Sequence, residues 1–120
     1  MQIIEPSGLT PEIIIDSENS FIAIRGVCVP EDGAQVFNPV MNCVEEIIFR
    51  KKRIHIMVEF EYFNSVSSHY LLKIFSKISS LLDKEQAHIE WKYEEDDEDN
   101  LTKAECLEEL SGLEFKFVVI

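Results

Sequence analysis

The 120-residue chain carries 23 Asp and Glu against 11 Lys and Arg, a formal net charge of −12, with 46% hydrophobic and 28% charged residues. Length and composition fit a single domain over residues 1–120 with a real core. The charge disfavours nucleic acid and anionic membranes, and no apolar run approaches the ~20 residues of a membrane span. Three cysteines without CxxC spacing, and no basic segment leading an apolar one at the N-terminus, point to a reducing cytoplasm, with neither a disulfide framework nor a signal peptide.

Residues 1–10, punctuated by Pro6 and Gly8, read as a loose arm or short edge segment. Ile13–Ile15 and Phe21–Ile24 flank the turn cluster Asp16–Ser20 and read as a hairpin, closed at Gly26. Val27–Gly33, with Pro30 and Gly33, reads as a loop. Val36, Phe37, Val40, Met41, Val44, Ile47 and Ile48 form a helical stripe. Pro39 suits only a first turn, so the regular helix is predicted to begin near Asn38. Arg50–Arg53 is a basic run at its end, where cations favour the negative pole of the helix dipole.

Ile54, Ile56, Val58 and Phe60 then alternate as a strand over Arg53–Tyr62. Within about seven residues the period changes to helical, through Tyr70, Leu71, Ile74, Phe75, Ile78, Leu81 and Leu82. Between the two lies Tyr62-Phe63-Asn64-Ser65-Val66-Ser67-Ser68. Ala87, Ile89 and Trp91 alternate in another strand, followed by the acidic run Glu94–Asp99, a loop by composition. A third helix over Leu101–Leu110 is predicted with Asn100 as its cap and Gly112 as its stop. Phe115, Phe117 and Val119 mark a last strand. The order β-β-α-β-α-β-α-β gives an α/β fold of about five strands and three helices, with a mixed sheet and right-handed crossovers.

Three segments resemble one known family. Gly26-x-x-x-Pro30-Glu31-Asp32 resembles a G-R-S-x-P-E-N-S loop, and Glu61-Tyr62-Phe63-Asn64-Ser65 resembles an E-Y-F-N-T-S-S junction. Trp91-x-Tyr93 followed by Glu94–Asp99 resembles W-Y-Y-E-E-D-D-E-D. The family is the SiaC-type regulatory phosphoproteins, with a fold like the STAS domain of anti-sigma factor antagonists. The resemblance implies a non-enzymatic bacterial partner-switching protein without a cofactor, of the kind that governs biofilm formation. A Ser/Thr kinase phosphorylates such a junction and a metal-dependent phosphatase reverses it. In some members the unphosphorylated form binds and activates a diguanylate cyclase. The family's phospho-acceptor Thr falls on Ser65 here. The resemblance also makes Tyr62, Phe63, Asn64, Ser67, Ser68, Pro30, Glu31, Asp32, Glu94, Glu95, Asp96 and Asp97 the expected partner-binding residues. The sequence departs from the pattern: Ser65 replaces Thr, Val66 replaces the next Ser, Val27 replaces the loop Arg and Gly33 the loop Ser.

Read from the residues alone, Asn64, Ser65, Ser67 and Ser68 are N-cap candidates at a helix mouth. A phosphate on Ser65 would meet free N–H groups and the positive end of the dipole. Three other readings compete with the switch. A hydrolase lacks nucleophile-elbow glycines, metal-ligand His spacing and a phosphate-cradling loop, although His69 lies four residues from Ser65. Calcium binding by the acidic run lacks the alternating spacing and central Gly of an EF-hand loop. A constitutive scaffold or oligomerisation module would carry no phosphate at all.

Overall fold

The computed structural model describes residues 1–120 and contains one six-stranded sheet and three helices. Strands β1 (Gln2–Ile4), β2 (Glu12–Asp16) and β3 (Phe21–Cys28) pair antiparallel. Helix α1 (Gly33–Lys51) leads to β4 (Ile54–Phe63), α2 (Ser65–Leu81) to β5 (Ala87–Tyr93), and α3 (Glu98–Ser111) to β6 (Phe115–Val119). Strands β3 to β6 are mutually parallel and lie in sequence order. Right-handed crossovers repeated in one direction put all three helices on one face, where α2 packs against both α1 and α3. The sheet is mixed, as the element order predicts, with one strand more: the N-terminal residues supply β1, the edge alternative to a loose arm.

One core of 27 buried residues lies between the layers. Ile13, Ile15, Ile22, Ile24, Ile54, Ile56, Val58 and Ile89 face it from the sheet; Phe37, Val40, Val44, Leu71, Ile74 and Phe75 face it from the helices. Period 2 meets period 3.6 here, which is why both patterns were legible. Trp91 is the largest wholly buried side chain. It stacks on Phe115 with centroids 6.0 Å apart and meets the edges of Phe60 and Phe63 at 5.9 and 5.6 Å.

Three boundaries differ from the sequence reading. Helix α1 begins at Gly33, capped by Asp32, and runs through Pro39. Pro39 sits on the exposed side, so the carbonyl it leaves without a partner faces water, which softens the cost of an interior proline. Strand β3 continues past Gly26 to Cys28: a bulge at Gly26, with φ +107°, shifts the register against β4. Glycine reaches that φ without a Cβ penalty. Helix α3 begins at Glu98 under an Asp97 cap, so the last two acids of the acidic run belong to a first turn, where the dipole favours them. Asn100 is therefore not the cap.

Asn100 is buried instead, accepting from Trp91 Nε1 at 2.8 Å and donating to the Phe60 carbonyl at 3.1 Å. Asn100→Ala would orphan two buried polar groups. We expect a loss of about 2–4 kcal/mol in urea unfolding; a loss below about 0.5 kcal/mol would show that water replaces the amide.

Candidate functional site

Strands β3, β4 and β5 end at Cys28, Phe63 and Tyr93, and being parallel they deliver all three motif segments to one pole of the molecule. The junction between β4 and α2 is built first by its cap. Asn64 has extended backbone, and its Oδ1 accepts from Ser67 N at 3.0 Å and from Ser67 Oγ at 3.0 Å. The Ser67 hydroxyl lies 2.8 Å from the Cys28 carbonyl and 3.2 Å from the Cys28 thiol. Asn64 N–H donates to the same carbonyl at 3.3 Å. The bulge at Gly26 makes this possible, because it pairs Cys28 with Phe63. Burial pushes the Cys28 thiol up to about 11, against a smaller downward pull from the Ser67 hydrogen bond, so it stays neutral and inert.

Ser65 is the first residue of α2 and is exposed. Asn64 and Ser67 do the capping, which leaves the Ser65 hydroxyl without a structural duty. Its own N–H and that of Val66 belong to the first helical turn, where no carbonyl precedes them to accept. Around it stand exposed Tyr62 and Val66, at 59% and 36% of their full accessibility, and half-buried Ser68 and Asn64.

Glu31, Asp32, Glu94, Glu95 and Asp96 are exposed, and Asp97 is half-buried as the α3 cap. The structure corrects three expected contact residues. Phe63, Ser67 and Pro30 are buried; they shape the surface from below and cannot meet a partner directly. Phe63 and Pro30 are apolar, and Ser67 lies two residues from Ser65, about 200° around the helix, so only one of the two serines can face outward.

Two residues were missed. Lys103 donates to the Phe63 carbonyl at 3.2 Å, pairs with Asp99 at 3.1 Å and lies over the Tyr62 ring at 5.6 Å. It is the cation that ties α3 to the junction, and the i,i+4 spacing from Asp99 was its only sequence signal. Gly33 opens α1 against α2: a Cβ there would come within 2.7 Å of the Tyr70 ring and Val66. Glycine thus brings the two helix mouths together. His69 is exposed and meets Tyr70 edge-on. No group of three or more His, Cys, Asp or Glu is arranged to hold a metal ion, and no helix is long and apolar enough to cross a membrane.

A sequence model described as SiaC family regulatory phosphoprotein matches residues 4–120. No curated protein matches the chain. A chain in the crystal structure of the diguanylate cyclase SiaD in complex with its activator SiaC from Pseudomonas aeruginosa superposes with a TM-score of 0.90 at 20% identity, over 100% of both chains. SiaC of Pseudomonas aeruginosa follows at 0.83 and 20% identity, over 100% of this chain and 98% of that one. The apo-SiaC crystal structure from the same organism follows at 0.82 and 21%, over 99% and 98%. At this identity the likeness shows the fold.

The division of labour among the serines has a measurable signature. Ser67→Ala removes a buried hydroxyl with two strong contacts and is expected to cost about 1–3 kcal/mol in denaturant unfolding, whereas Ser65→Ala stays within about 0.5 kcal/mol of wild type. Equal losses would mean that Ser65 shares in the cap.

Proposed function

The chain belongs to the SiaC family of regulatory phosphoproteins, and from that premise we propose that it is a partner-switching regulator whose switch is phosphorylation of Ser65. A Ser/Thr kinase adds the phosphate and a metal-dependent phosphatase removes it. The unphosphorylated surface binds an effector, and the chain itself catalyses nothing. The observation that carries this reading is the exposed Ser65 hydroxyl at the first position of α2, beside a cap that does not use it. A transferring enzyme reaches such an oxygen without unfolding anything. SiaC of Pseudomonas aeruginosa is described as the activator of the diguanylate cyclase SiaD in their complex; a diguanylate cyclase is accordingly the effector proposed here.

The switch works by local electrostatics. A phosphoserine carries about −1.5 to −2 charges at pH 7. The free N–H groups and dipole of α2 hold it with roughly 0.3–1 kcal/mol, so the fold tolerates it. The effector does not. Glu31, Asp32, Glu94, Glu95 and Asp96 already make this pole acidic, and the added charge brings repulsion and a hydration shell to strip. Tyr62 and Val66 are the apolar anchors next to the phosphate, where losing one good contact costs as much as an interface hot spot, about 2 kcal/mol or more.

The test is calorimetric titration of the host's diguanylate cyclase with wild type, Ser65→Ala and Ser65→Asp. Wild type and Ser65→Ala should bind alike, and Ser65→Asp at least about tenfold more weakly, a difference of about 1.4 kcal/mol. The melting temperature of Ser65→Asp should move by no more than a few degrees. Equal affinity of all three would overturn the proposal.

A further inference from the structure

Lys103 is the cation that touches the Ser65 junction. Its ammonium donates to the Phe63 carbonyl at 3.2 Å and pairs with Asp99 at 3.1 Å. It lies 5.6 and 5.1 Å from the centres of the Tyr62 and Phe63 rings. The other cations of this pole are turned away. Arg25 and Lys92 flank Glu59 on the sheet face opposite the helices. Lys73 is eight residues along α2 from Ser65, about 12 Å, and lies over the Tyr70 ring at 5.2 Å.

Tethering α3 to the strand end uses only part of this ammonium. It has three N–H donors; the Phe63 carbonyl and one Asp99 oxygen take two. The Asp99 side chain is 76% exposed, so that pair is weak and holds the ammonium loosely.

The phase of α2 sets Ser65 on the same side. Ser65 and Ser79 are fourteen residues apart, within about 40° of each other around the helix. Ser79 Oγ lies 3.3 Å from where a Cβ would stand on Gly112, the C-cap of α3. Val66 and Tyr70 point the other way, to Gly33 at the mouth of α1; they lie about 100° and 140° around the helix from Ser65. Ser65 therefore leans toward α3. It is two residues from Phe63, at most about 7 Å of chain, which puts a phosphate on its Oγ within reach of the flexible Lys103 stem.

We infer that Lys103 is the positioning residue for the Ser65 phosphate: its third N–H donates to a phosphate oxygen and ties the group to α3 beside the Tyr62 ring. The inference rests on the phosphorylation of Ser65 proposed above. Held between the N–H groups of α2 and this ammonium, the phosphate covers the exposed Tyr62 instead of turning freely in water. A nearby cation favours the dianion, so Lys103 lowers the second phosphate pKa from its ordinary value near ~6. Glu61, Asp97 and Asp99 stand around the same ammonium, and His69 lies one turn along α2. These groups also act on the phosphate, but they are the same in every variant below, so a difference between variants belongs to the lysine.

For the test, phosphoserine is encoded genetically at position 65, so that no kinase is needed, and phosphorus NMR follows its second ionisation. Lys103→Gln, which keeps a donor for the Phe63 carbonyl, should raise the midpoint by about half a pH unit. Lys103→Arg should restore the wild-type midpoint, and Lys73→Gln should leave it unmoved. Thermal melting checks that each variant is folded. Coincident midpoints for wild type and Lys103→Gln, or an equal rise in Lys73→Gln, would overturn the inference. Such a failure leaves Ser65 standing as the switch, which falls separately, by the effector titration.

Discussion

The Ser67 hydroxyl, held between the Asn64 side chain and the Cys28 carbonyl, is the contact on which the rest of the molecule depends. It braces the Asn64 side chain that caps α2, it joins the end of β3 to the start of α2, and it is itself buried. Each function has a prerequisite elsewhere in the chain. The bulge at Gly26 brings the Cys28 carbonyl into range, and the missing Cβ of Gly33 lets α1 close on the first turn of α2. A buried polar group satisfied this fully is stabilising, while one left half-satisfied would be costly. Because this network meets the needs of the helix mouth, the neighbouring Ser65 is left free to change its charge without changing the fold.

How much of this could be read in the sequence follows from the physics of each signal. The change of period between Phe60 and Tyr70 located the β4–α2 junction, since one face of each element is buried and burial is what periodicity records. The apolar stripe of α2 does not extend to the three serines, so the pattern marks all of them as N-cap candidates and cannot tell that Ser67 is wholly buried while Ser65 is exposed. Pro30 and Phe63 enter the expected contact set only because they lie inside motif segments that resemble the family, and a motif does not say which of its members are buried. Helix α1 started five residues before the predicted point because an exposed Pro39 is tolerated where a buried one would not be. The role of Asn100 was illegible because its partners, Trp91 and the Phe60 carbonyl, are nonlocal.

The most direct test of the account is to locate the phosphate. The protein, co-expressed with the host's Ser/Thr kinase, is digested and mapped by fragmentation mass spectrometry. The account predicts one phosphoryl group on Ser65, and none on the Ser65→Ala protein. A phosphate found on Ser67 or Ser68 instead, or no modification of the folded chain by an active kinase, would contradict it.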